Sequence, residues 1–158
     1  SVMDLTVEPA GDKYVSLKSE KLDYGSYVAD VVVEKRGIEV PVFYGINRAC
    51  LRYGAGVSGD EKVSAFSDNE STAIGGYDET YFKSLKYVQS GDKVKVKTAD
   101  KTISYKAIDT FIGDEGDSKA KKYKNNLILY SIFSDYGENG GKCFYVICEK
   151  TGEEVNAK

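Results

Sequence analysis

The sequence predicts a mainly β domain, a mixed closed β-barrel of seven to eight strands with short helical turns. Two observations carry this. Runs of β-branched and aromatic residues recur along the chain with an alternating apolar phase, bounded by Gly, Asn, Asp and Ser. Only two short stretches read as helical, and a composition of 13 Tyr and 6 Phe against 2 Pro suits strands over helices or disorder.

Taken in order, residues before about Tyr24 are ambiguous. Tyr27 to Val33 (YVADVVV) is a β-branched strand, Lys35-Arg36-Gly37 supplies a turn, and Ile38 to Tyr44 (IEVPVFY) is a second strand. Pro41 has no N–H for a ladder, which places it at an edge or a bulge. Asn47 can cap a short helix from Arg48 to Tyr53, with Gly54 as a left-handed exit. A loop rich in Gly, Ser and Asp follows to about Asn69. Ser71 to Ile74 reads as another short strand, and Asp78 as the cap of a helical turn that turns Tyr81, Phe82 and Leu85 to the core.

Lys93 to Thr98 (KVKVKT) alternates charge with Val94 and Val96, the pattern of a half-exposed strand. Ala99-Asp100 is a hairpin tip, and Thr102 to Ile112 returns as a long strand. Gly113 to Asn126 is a charged connection, Leu127 to Phe133 a buried strand, and Lys142 to Glu149 the last one. Alternation assigns Val94, Val96, Ile103, Tyr105, Leu127 and Leu129 to the core. Without an internal repeat or a low-complexity linker, 158 residues make one domain: a lead-in over residues 1–25 and the barrel over 26–158.

A net charge of -3, with Lys and Asp interleaved, gives no basic stripe to neutralise a run of phosphates, so nucleic acid is not an expected partner. The most apolar stretches, Val28 to Val33 and Leu127 to Phe133, are far shorter than the roughly 20 residues of a membrane-spanning helix. Cys50, Cys143 and Cys148 are an odd set. Five residues along a strand put Cys143 and Cys148 on opposite faces about 16 Å apart, which argues against a bond between them. The chain has no histidine, so the commonest general base and zinc ligand is missing. Asp12, Asp60, Asp68, Asp114 and Asp117 do not have the spacing of a Ca²⁺ loop, and Gly54-Ala55-Gly56 is too short for a phosphate cradle. No metal or cofactor is expected.

Several segments together resemble the sortase family, over roughly Tyr27 to Val155. IEVPVFYGINRACLRYGAGV (Ile38 to Val57) is similar to the family's strand, short helix and Gly-x-Gly run into the active-site loop. STAIGGY (Ser71 to Tyr77) is similar to the strand that ends in Gly-His. YFKSLKYVQSGDKVKVKTADKTISYKA (Tyr81 to Ala107) resembles the Phe-x-x-Leu, Gly-Asp and Tyr-containing hairpin, and is the strongest part of the match. LILYSIFSDYG (Leu127 to Gly137) resembles the strand with the Thr-Leu-x-Thr-Cys signature, and KCFYVICEKTGEEV the closing strand with its arginine.

Sortases cut a sorting signal with a cysteine thiolate, a histidine for proton transfer and an arginine that steadies the oxyanion or substrate. Carried over by this resemblance, the histidine position falls on Tyr77, the cysteine on Ile132, and the arginine on Cys143, or on Lys142 with a register slip of one. None of the three is kept at its matching position. Ser131 and Lys142 mark a possible groove and could imitate a Ser and Lys pair. Cys143 and Cys148, near Lys142 and Lys150, are candidate thiolates or, as strand cysteines, small buried hydrophobes. Tyr77 either donates a hydrogen bond or fills the groove.

The resemblance therefore implies a catalytically inactive sortase-like domain, displayed at the surface of a Gram-positive type of cell. It would bind a peptide or protein partner or serve as an assembly module. A second reading is a cysteine or serine transpeptidase or peptidase acting on cell-wall sorting signals through a relocated Cys143, Cys148 or Ser131. A third is an adhesin-like piece of a larger surface protein. Sortases commonly carry an N-terminal membrane anchor, and one before Ser1 is the expectation.

Overall fold

In the computed structural model, which describes residues 13–57, 66, 71–133 and 141–156, eight strands run in chain order with two short helices between them. They are β1 (Tyr27–Val33), β2 (Ile38–Tyr44), α1 (Arg48–Tyr53), β3 (Ala55–Val57), β4 (Thr72–Tyr77), β5 (Lys93–Thr98), β6 (Lys101–Asp114), α2 (Ser118–Lys121), β7 (Asn126–Ile132) and β8 (Lys142–Val155). The strands close into a barrel in the order β1-β2-β3-β4-β7-β8-β6-β5. Closure by β5 on β1 joins the two ends of the strand order. Only β2 with β3 and β4 with β7 pair parallel, and those two joins are reached by the longer crossovers through α1 and through the β5–β6 hairpin.

Alternation along each strand builds two apolar layers. Inside the barrel, Val31, Val42, Ile74, Val94, Val96, Ile103, Tyr105, Leu127 and Leu129 belong to one buried cluster, as the alternating phase requires. The opposite phase of β7 and β8 contributes Ile128, Cys143, Tyr145 and Ile147 to a second cluster on the outer face, under Ala120 of α2. Cys148 falls in the first cluster and Cys143 in the second, and all three cysteines are free.

The expected pairing of the last two strands is present from Asn126 opposite Glu149 to Ile132 opposite Cys143. Pro41 pairs with Asp30 of β1, while β3 reaches only Val42 to Tyr44, so the proline sits where β2 has no neighbour on its other side. The Asn47 side chain accepts a hydrogen bond from the Cys50 N–H at 3.0 Å, the expected cap of α1.

Several boundaries and roles differ from the expectation. Gly54 is extended at φ 172 rather than left-handed, and its glycine is required because a Cβ would run into the Pro41 carbonyl oxygen. Three residues later the chain has already made β3, too short to show a period. The strand expected at Ser71 to Ile74 continues to Tyr77, since its last residues pair with β7. Asp78 does not cap a turn through its side chain: its N–H donates to Ile132 O, and its Oδ1 is buried without a hydrogen bond. Phe82 and Leu85 are buried as expected, but Tyr81 is exposed. The charged connection after Ile112 contains the end of β6 and α2, and β8 continues past Glu149 to Val155 against β6.

The stretch before β1 is tied down from Lys13 onward. Val15 N–H donates to Tyr27 O, and the Tyr14 hydroxyl donates to Asp30 Oδ2 at 2.6 Å. The expectations for residues 1–12, for most of the loop up to Asn69 and for the link from Asp135 to Gly141 lie largely outside the described residues.

Candidate binding face

Register decides what the outer face presents. Tyr77 of β4 is the Cα partner of Ile132 of β7, Ile132 is the partner of Cys143 of β8, and Cys143 is the partner of Gly113 of β6. Three residues far apart in sequence thus stand side by side on one rung, about 4.8 Å from strand to strand. Tyr77 and Ile132 are half-buried, and Cys143 is fully buried.

Beside this rung lies a cavity of about 340 Å³. Ala73, Ile128, Tyr130 and Tyr145 form its floor, and the β6–β7 connection supplies a wall from Glu115 to Lys121. Tyr145 anchors that wall: its hydroxyl donates to Asp114 O at 2.6 Å and accepts from the Asp117 N–H at 3.4 Å. Its ring stacks on Phe111 with centroids 5.0 Å apart. Asp117 in turn caps α2 by accepting from the Lys119 N–H at 2.7 Å. A cavity of this size falls within the roughly 300 to 1,000 Å³ range of ligand sites, and it combines an aromatic floor with a polar rim.

The candidate nucleophiles have environments that oppose ionisation. Burial, helped by the charge of Glu115, pushes the Cys143 thiol up to about 11. Burial alone pushes Cys148 up to about 12, inside the barrel. Desolvation also raises Cys50. A thiolate is the reactive form, and each site disfavours it.

Ser131 and Lys142 are not brought together. Ser131 is fully buried in the barrel-facing phase of β7, its Oγ has no hydrogen-bond partner, and its Cα partners are Gly76 and Phe144. Lys142 is at the start of β8 with its ammonium 2.6 Å from Asp114 Oδ1, and that hydrogen bond raises its pKa. Lys150 is bonded to Glu153. Among the described residues no group of three or more His, Cys, Asp and Glu is placed to hold a metal ion.

Sequence reading missed Tyr130, Tyr145 and the wall from Glu115 to Lys121. A signal for the two tyrosines was present: Tyr130 shares the phase of Ile132, and Tyr145 that of Cys143. The wall had none, because a polar connection shows no period from which its docking could be read.

The chain matches the sortase domain over residues 31–132, more than half of its length. Among solved structures, sortase A of Listeria monocytogenes is similar at 20% identity and a TM-score of 0.68, covering 84% of this chain and 92% of that one. A sortase D5 transpeptidase of Clostridium perfringens gives 18% identity, a TM-score of 0.70 and 84% coverage of both chains. A sortase C-3 of Streptococcus pneumoniae gives 16% identity and a TM-score of 0.70, covering 98% of this chain and 79% of that one. No curated protein matches. With a closed eight-strand barrel and a sortase domain match over more than half of its length, this chain belongs to the sortase family.

Proposed function

We infer that this chain is a catalytically inactive sortase-family domain that works at the surface of a Gram-positive type of cell. It holds a peptide or surface-protein segment against the β4–β7–β8 face, alone or as part of an assembly. The observation that carries this reading is the composition of one rung. Tyr77 offers a phenol, Ile132 a hydrocarbon and Cys143 a buried thiol, in a chain with no histidine.

Sortase chemistry needs a thiolate, a proton carrier and a cation at the oxyanion, and removal of a nucleophile with its base costs many orders of magnitude in rate. The neighbouring cavity with its aromatic floor supports retained binding. No helix among the described residues is long and apolar enough to cross a membrane.

The test is incubation with a Leu-Pro-x-Thr-Gly peptide and an amine acceptor, followed by mass spectrometry, beside a binding titration with the same peptide. Binding without cleavage or transfer is the expected result. Turnover that disappears in Cys143→Ala, Cys148→Ala or Ser131→Ala would overturn the reading and name the nucleophile.

A further inference from the structure

A second, smaller pocket lies beside α1, and it shares no lining residue with the cavity on the β4–β7–β8 face. It is lined by Gly25, Phe43, Ala49, Cys50 and Tyr53 and has a volume of about 220 Å³. At 100° per residue, Ala49, Cys50 and Tyr53 share one side of α1, while Leu51 turns inward and is buried. Arg48 and Arg52, one turn apart, occupy the adjoining side and are both exposed.

Two features set this place apart. First, large apolar side chains are left in water around it: Tyr24 is 68% exposed, Tyr53 62% and Ile46 37%. The Tyr24 ring, next in sequence to the lining residue Gly25, stacks on Tyr44 with centroids 5.3 Å apart. Second, the charge is unmatched among the described residues. The chain has three arginines. Arg36 is bidentate to Asp92, at 2.7 and 3.2 Å. The other two are Arg48 and Arg52, and neither makes an ion pair with a described residue. In a chain of net charge -3, two guanidiniums without a counter-charge among the described residues form a local positive site beside an apolar pocket.

Size and charge together define the occupant. The volume is below the roughly 300 Å³ at which small-molecule sites begin, and suits one large side chain. Guanidinium forks match carboxylates in geometry, in two-point contacts an ammonium does not reproduce. We propose that this pocket with Arg48 and Arg52 is a docking site for an acidic peptide segment, which places one aliphatic or aromatic side chain against Phe43, Cys50 and Tyr53 and carboxylates on the two arginines.

The probe is a fluorescein-labelled peptide with one Leu flanked on each side by two Asp, titrated by anisotropy at low and at physiological salt. Controls are the same peptide with every Asp replaced by Asn, and with the Leu replaced by Gly. Both controls should bind more weakly than the parent, and added salt should weaken the parent further. Arg48→Gln with Arg52→Gln should weaken the parent about tenfold, as expected for loss of two exposed charge contacts. These positions are exposed, so thermal melts of the variant should match the unaltered protein.

A second readout uses Cys50, which lines the pocket while Cys143 and Cys148 have no exposed surface. Because burial disfavours the Cys50 thiolate, methyl methanethiosulfonate is applied at alkaline pH, where Cys50 is first shown to react without peptide, and the parent peptide should slow that reaction. Equal binding of the Asn peptide, unchanged binding by the double variant, or no protection of Cys50 would each overturn the proposal. So would absence of peptide binding, whether alone or with concentration-dependent dimerisation or binding to anionic vesicles through the same arginines.

Discussion

Gly75 of β4 and Tyr130 of β7 are Cα partners, and the tyrosine ring lies where a Cβ on Gly75 would be. The floor of the outer-face cavity is therefore set by a glycine that lets an aromatic ring lie flat across the neighbouring strand. Gly75→Ala should push Tyr130 out of this position and cost about 1 to 3 kcal/mol, the usual penalty for overpacking. Pairing it with Tyr130→Ala should remove most of the clash. Denaturant melts of the two single variants and the double check this: additive losses would mean that the residues do not share the space.

Leu129 is fully buried within the barrel. Leu129→Ala should cost roughly 2 to 5 kcal/mol, through lost burial and the cavity left behind. A loss under about 1 kcal/mol in urea melts would place the side chain in solvent and reverse the phase of β7.

Strands of this kind were legible because their alternation is enforced by burial. KVKVKT and LILYSI each state their inner face without help from distant residues. Elements defined by a remote partner were not legible. β3 has three residues, too few for a period, and exists because Val42 to Tyr44 offers a parallel ladder. The end of β8 reads as polar, GEEV, yet is a strand because β6 continues beside it. The rung of Tyr77, Ile132 and Cys143 required the barrel order, which sets which strands are neighbours. Tyr81 shows the limit of reading a helical period from one turn: with only Phe82 and Leu85 as anchors, the phase was not determined.

The Asp30 carboxylate should make the fold sensitive to acid. Burial alone would raise its pKa, but hydrogen bonds from Tyr14, Tyr27 and Lys13 outweigh burial and hold it below the ordinary value. The distances are 2.6 Å from Tyr14, 2.5 Å from Tyr27 and 3.1 Å from the Lys13 ammonium. With its folded pKa depressed, the group contributes stability that is fully present above the unfolded value near pH 4 and lost as pH falls through the folded one. Asp30→Asn should lower stability at neutral pH and flatten the decline below about pH 4. Melting temperatures from pH 2 to 7 check this, and parallel curves for the two proteins would remove Asp30 as a cause.

The rung itself can be tested by rebuilding it in steps. If Tyr77 and Ile132 share the outer face on adjacent strands, an imidazole at 77 stands beside a thiol at 132, about 4.8 Å apart at Cα. A nearby imidazolium favours a thiolate, so Tyr77→His with Ile132→Cys should lower the thiol pKa from the usual value near 8.5 by about one unit or more relative to Ile132→Cys alone. The pH dependence of iodoacetamide alkylation at position 132, located by peptide mass spectrometry, measures this. Equal inflections in the two variants would break the proposed correspondence between this rung and the sortase catalytic positions. Cys143→Arg belongs last, because position 143 has no exposed surface and an unpaired buried charge costs several kcal/mol. Glu115, whose charge already acts on Cys143, is the counter-charge that would make an arginine tolerable there. Cleavage of a Leu-Pro-x-Thr-Gly peptide by the triple variant would show that the cavity still aligns a scissile bond with the rung. A reactive thiol at 132 in a folded triple variant without cleavage would mean that Tyr130, lying over Gly75, has reshaped the floor on which that bond must rest.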